Sequence, residues 1–164
     1  MNRRVTCTGL FLVVTLLFMG TAAASPPLSN QDKANILIIN SYHSEYQWTR
    51  DQVEGFSEVL RSRFPDATIY TEFLDAKRID RTTFQRTFAK MLAEKYGGVR
   101  FSLIYATDDI ALEFAQSYSE KVWDHDTPIV ASGINSSPLL DPDLHPLTHG
   151  VFEYESGTET VTEA

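Results

Sequence analysis

Apolar residues along this chain fall into short runs parted by polar stretches, and the runs alternate between two periods. Ile36-Leu37-Ile38-Ile39 is a continuous aliphatic run, the mark of a strand buried on both faces. Val53, Phe56, Leu60 and Phe64 then recur at helical spacing. Thr49 with Gln52 matches a capping box ahead of them, and Pro65 stops the helix. Thr68–Phe73 reads as a second strand, with Ile69, Thr71 and Phe73 on one face. Asp80 can cap a second helix whose stripe is Phe84, Phe88, Met91 and Leu92, and Gly97-Gly98 ends it. Residues 101–106 (FSLIYA) predict a third strand. Thr107 or Asp108 caps a third helix, with Ala111, Phe114, Ala115, Tyr118 and Val122 on one stripe. Residues 128–132 (PIVAS) predict a fourth strand, 135–146 a Pro- and Asn-rich loop, and Thr148–Phe152 a short fifth strand.

Strand starts near 36, 68 and 101 are spaced like βαβ units. Such alternation predicts a parallel sheet with right-handed crossovers and helices on both faces. The expected fold class is therefore α/β: a doubly wound three-layer α/β/α domain of strand order 2-1-3-4, extended by the fifth strand. No repeat or low-complexity tract interrupts it. Residues 153–164 hold little apolar content and read as an incomplete fourth helix.

The N-terminus follows a different pattern. Arg3 and Arg4 precede a ten-residue apolar run, 10–19, and Ala22-Ala23-Ala24 supplies a small-residue cleavage pattern. The expectation is a signal peptide over 1–24, a polar linker over 25–34 and a lobe over 35–152, placed in the periplasm; an uncleaved signal anchor is the other reading. The run is shorter than the ~20 residues a relaxed membrane-spanning helix takes. Cleavage leaves 164 − 24 = 140 residues, enough for one ordinary domain. It also removes two arginines, so 12 basic residues face 22 acidic ones and net charge moves from −8 to −10. That acidity argues against nucleic acid or an anionic membrane as partner. The single cysteine, Cys7, lies in the removed segment, which excludes disulfides and thiolate chemistry from the mature chain.

In open parallel sheets, ligands bind beyond the carboxyl ends of the strands. That rule selects Asn40, Ser41, Tyr42, His43, Tyr46 and Trp48 after the first strand, and Asp75 and Lys77 after the second. It selects Thr107, Asp108 and Asp109 after the third strand, and Gly133 and Asn135 after the fourth. Familiar catalytic patterns are absent: no G-x-G-x-x-G, no P-loop lysine, no G-x-S-x-G elbow, and no metal spacing among His43, His125, His145 and His149. No cofactor or metal is expected. Plainer roles stand beside these. Thr107-Asp108-Asp109 suits a helix start, Asp75 with Lys77 suits a surface ion pair, and Gly133 and Asn135 suit a turn. Trp48 and Asp108 are expected to approach each other across the mouth, and Asp108, at a helix N-terminus, to stay ionised.

These tips, in register at four strand ends, carry a likeness. Asn40-Ser41-Tyr42-His43 with Trp48-Thr49, Leu74-Asp75-Ala76-Lys77, Thr107-Asp108-Asp109-Ile110-Ala111 and Gly133-Ile134-Asn135 resemble the ABC-transporter substrate-binding-like periplasmic domain found ahead of bacterial sensor histidine kinases and diguanylate cyclases. That domain is similar in fold to type 1 periplasmic binding proteins. The resemblance covers roughly residues 34–152. It implies two lobes with a small organic solute held between them and no catalysis. This chain supplies the first lobe, so a truncated product or a partner carrying the second lobe is expected. The implied ligand-binding set is Ser41, Tyr42, His43, Trp48, Asp75, Lys77, Thr107, Asp108, Asp109 and Asn135, and an amino-acid-like or amine-bearing solute suits its aromatic and acidic mix. Three alternatives stay open: a transporter's substrate-binding component, a small secreted hydrolase using His43 with Asp108 or Asp109, and a non-functional remnant of a sensor kinase.

Overall fold

The structure is a computed structural model and describes residues 33–153. The signal-peptide reading, most of the linker and the incomplete fourth helix therefore lie outside the described residues. Within them the chain runs β1 (Asn35–Asn40), α1 (Gln47–Arg63), β2 (Thr68–Phe73), α2 (Arg81–Tyr96), β3 (Leu103–Thr107), α3 (Asp108–Val122), β4 (Ile129–Ile134), a 3-10 turn (Ser137–Leu140) and β5 (Thr148–Phe152). The five strands form one all-parallel sheet of order β2-β1-β3-β4-β5. This is a single doubly wound α/β/α lobe, as the spacing of the apolar runs predicts.

Register explains why β1 reads as uninterrupted aliphatic. Leu37 and Ile39 align with Tyr70 and Glu72 of β2 and with Ile104 and Ala106 of β3. These point to the layer of α2 and α3, where Phe88, Leu92, Phe114 and Ala115 close the main core. Ile36 and Ile38 point the other way, toward α1, whose Phe56 stacks flat on Tyr105 with ring centroids 3.9 Å apart. A central strand covered on both sides needs apolar residues at every position. The helices thus divide one and two: α1 on one face, α2 with α3 on the other.

Two helix starts differ from expectation. α1 begins at Gln47, with Tyr46 in the cap position and no side-chain cap bond. Thr49 lies inside the helix, buried, its hydroxyl without a partner among the described residues. Gln52 turns away from the helix end toward β3 and β4. Thr107 does occupy the cap position of α3, but its hydroxyl donates to Asn40 Oδ1 at 3.2 Å instead of capping. Ser41 takes the task over. Its fully buried hydroxyl donates to Thr107 O at 2.6 Å and accepts from Ala111 N at 2.8 Å. It is inserted into what would be the first helical hydrogen bond, tying the end of β1 to the start of α3. For Gln52 and Thr107 a long-range partner in a buried setting outweighs a local cap that water could otherwise replace. The ends of the stripes are also more open than their periodicity predicts, with Phe64 and Met91 both exposed.

Candidate functional site

β1 and β3 are neighbours, yet the chain leaves them toward opposite faces, into α1 and α3. Their diverging exits mark the switch point of the sheet, the position where doubly wound sheets bind ligands. Backbone strain gathers there. Asp75 (φ 50°) and Asp108 (φ 65°) are the non-glycine residues in the left-handed region among the described residues, and Gly133 (φ 69°) joins them. The three stand at the ends of β2, β3 and β4. Left-handed backbone is disfavoured for residues bearing a Cβ, and such residues cluster at functional sites.

Asp108 is the centre of this region. Its carboxylate is buried and accepts from Trp48 Nε1 at 2.9 Å and from Gln52 Nε2 at 3.2 Å. Trp48 and Asp108 thus meet as the sequence reading expects. The network continues inward. Because Gln52 Nε2 donates to Asp108, its Oε1 accepts from the Ser132 hydroxyl, and that leaves Ser132 Oγ to accept from Tyr105 OH at 2.6 Å. Every proton in the chain Tyr105–Ser132–Gln52 is therefore directed toward the Asp108 carboxylate. Gly133 permits the close approach: a Cβ there would sit 3.1 Å from Gln52 Oε1 and 3.3 Å from Asp108 Oδ1.

The expectation that Asp108 resists protonation runs against the direction of its shift. Burial pushes its carboxyl above the usual aspartate value, outweighing the Trp48 and Gln52 hydrogen bonds that pull it down. Both of those donors are neutral, and no cation lies within salt-bridge distance of the carboxylate among the described residues; Lys77 acts on it only at longer range. Burial likewise raises the Tyr105 phenol.

A second group lines the same mouth. Tyr42 and Tyr46 meet edge to face at 5.3 Å, and the Lys77 ammonium lies 3.8 Å from the Tyr46 ring centroid and 4.7 Å from that of Tyr42. Lys77 is thus engaged with tyrosines, not with Asp75 as a local ion pair predicts. Asp75 is held by Arg78 Nε, 2.8 Å from each carboxylate oxygen. The Tyr46 hydroxyl is the main cause that holds Lys77 above its ordinary value. Burial, and then the Asp108 charge, raise the Tyr42 phenol. Tyr42, Lys77 and Asp108 accordingly share one electrostatic neighbourhood.

The remaining candidates divide. Asp109 Oδ1 accepts from the backbone N–H groups of Asn135 (2.9 Å) and Ser136 (3.2 Å), so the two candidates Asp109 and Asn135 are joined and pin the loop after β4. Ser41 and Thr107 are fully buried and bonded within the protein. His43 Nδ1 lies 3.2 Å from Glu45 Oε2, and its hydrogen bond and ion pair go there instead of to Asp108 or Asp109. Sequence reasoning passed over Gln52, Ser132 and Tyr105. The signal for Gln52 was available, since it lies one helical turn beyond Trp48 and so shares its face. No group of three or more His, Cys, Asp or Glu side chains is arranged to hold a metal among the described residues. No helix among them is long and apolar enough to cross a membrane. A concavity of about 750 Å³ runs along α1 to Ser44 and Phe73. Others, of about 400 and 420 Å³, sit at the opposite end of the sheet, one near His125 and His145 and one near Gly97 and Trp123. Comparison with protein-family models, curated proteins and solved structures found no match.

Proposed function

We propose that this lobe is the first half of an exported solute-binding or sensor-input module. Its strand-tip face receives a small organic solute bearing an amine, amino-acid-like in character, and performs no chemistry on it. The observation that supports this most is Asp108: a strained, buried carboxylate at the sheet's switch point, held by the neutral donors Trp48 and Gln52 alone. A cation arriving beside it relieves the desolvation that the fold leaves uncompensated. Trp48, 37 % exposed, offers a ring face beside that charge. A partner lobe completes the enclosure in this reading, since small-molecule sites bury ~70–90 % of the ligand.

Calorimetry against a panel of amino acids and amines tests it. Trp48→Ala and Asp108→Ala are each expected to weaken binding by more than ~1 kcal/mol without unfolding the lobe. Equal binding by both variants and the parent sinks the assignment. Export belongs to the same proposal, and N-terminal sequencing of secreted protein is expected to begin at Ser25. The hydrolase alternative has less support. His43 pairs with Glu45, while the Asp108 hydrogen bonds go to Trp48 and Gln52. A transporter component fits the same geometry, and the neighbouring genes separate it from a sensor.

A further inference from the structure

The mouth already contains an ammonium group: that of Lys77. It sits over two tyrosine rings set at 86° to each other, which is how an aromatic cage grips a cation. The backbone that delivers it is anchored. Ala76 N donates to Ser41 O at 2.9 Å, Arg78 N and Ile79 N both donate to Asp75 O, and Asp75 itself is left-handed. The loop is therefore pinned to the end of β1 while the Lys77 side chain is exposed on a flexible four-carbon stem. Its neighbours are rings and a phenol, and no carboxylate is within salt-bridge distance of it among the described residues. Only the side chain has to rotate for the cage to empty.

We infer that Tyr42 and Tyr46 form the ammonium subsite of this lobe and that Lys77 is its resident occupant, a built-in competitor that the amine of an incoming solute displaces. This rests on the proposed solute-binding reading and adds to it a location for the amine and a threshold for binding. Solutes that fail to replace the lysine's contact with both rings are excluded, and cations gain entry in proportion to how well they fill the cage. The displaced ammonium moves into solvent, where hydration offsets much of what it loses.

The test uses the full chain, with tetramethylammonium as a cation that cannot hydrogen-bond and tert-butanol as its neutral counterpart. Binding is followed by calorimetry and by the tyrosine ring signals in NMR. Lys77→Met is expected to bind tetramethylammonium roughly three- to tenfold more tightly than the parent, the range that one or two exposed cation–π contacts imply. Tert-butanol is expected to show no such gain. Tyr42→Leu combined with Tyr46→Leu is expected to abolish the gain in the Lys77→Met background. Lys77→Gln, closer in polarity, serves as the second variant should the methionine perturb folding, with circular dichroism as the check. Unchanged or weaker tetramethylammonium binding in both Lys77 variants overturns the inference, because a lysine that is structural, or that contacts the solute's carboxylate, gives that result. If amino acids or amines still bind in a Trp48- and Asp108-dependent way, the inference alone fails. If no probe binds to any variant, the solute-binding reading fails with it.

Discussion

Two buried carboxylates in this lobe are treated in opposite ways. Glu72, on β2 and facing α2, accepts from Lys95 Nζ at 2.6 Å and from Tyr96 OH at 2.5 Å through a single oxygen. It sits in ordinary strand backbone and meets a cation and a phenol supplied by the last turn of α2. Asp108, at the tip of β3, sits in left-handed backbone and meets only neutral donors. A buried ion with a cation and a hydrogen bond is satisfied and serves the fold. One held by neutral donors in strained backbone leaves free energy unrecovered, and such sites are where binding energy can be gained. In the proposed reading, the difference separates a structural acid from a ligand-binding one within a single sheet.

Removing Glu72 is the strongest challenge to that contrast. Glu72→Ala is expected to lower unfolding stability by about 2 kcal/mol, read from the urea midpoint, because the buried Tyr96 hydroxyl loses its acceptor. The Lys95 share is small, since that side chain is half exposed. The Tyr96 phenol, pushed up to about 12 mainly by burial and then by Glu72, gives an independent readout. Its folded value lies above its unfolded one, so it contributes stability in full below ~10 and loses it as pH rises from there through about 12. Ultraviolet titration is expected to show this phenol titrating closer to the ordinary tyrosine value in Glu72→Ala. A Glu72→Ala protein as stable as the parent would remove one side of the comparison.

Gly133→Ala comes next, at about 1–2 kcal/mol from the left-handed backbone alone. Its Cβ presses on Gln52 and Asp108, so the Trp48–Asp108 contact is expected to loosen, seen as a change in tryptophan fluorescence. A stability loss with unaltered fluorescence would detach Gly133 from the tip network.

Asp108→Asn is expected to have the smallest effect and the opposite sign, a gain between zero and ~1 kcal/mol at neutral pH: it removes the buried charge, and its amide nitrogen is accommodated by reversal of the Gln52–Ser132–Tyr105 hydrogen bonds. The raised carboxyl makes this pH-dependent. In the parent, protonation favours the folded state, so the favourable contribution is full below the unfolded value near ~3.9 and is lost as pH rises through the folded value. The advantage of the asparagine variant should therefore shrink as pH falls into the acid range. A loss of 2 kcal/mol or more at neutral pH would make Asp108 a second Glu72 and erase the distinction.

The arrangement of elements was legible along the chain because it depends on local periodicity. A strand buried on both faces must be apolar throughout, as residues 36–39 are, and βαβ spacing admits essentially one handedness. From those facts came the parallel order 2-1-3-4-5 and the meeting of Trp48 with Asp108. Glu72 shows where this reading stops. Its neighbours Ile69, Thr71 and Phe73 mark one face of β2, but the opposite face proves the more buried at Glu72, because Lys95 and Tyr96 arrive there from a helix end 23 and 24 residues later.

By itself, the sequence determined which segments are strands and helices, their parallel order, and which loops share an end of the sheet. These follow from hydrophobic period and chain chirality, properties that neighbouring residues carry with them. Tertiary structure alone decided the partners: Gln52 with Asp108 and Ser132 instead of its own helix end, Lys77 with two tyrosines instead of Asp75, and Ser41 inside the first turn of α3. It also decided that Asp108 is harder to ionise than an ordinary aspartate. Each of these depends on distances between groups tens of residues apart and on how much water the fold removes from them, and neither quantity exists until the sheet has formed.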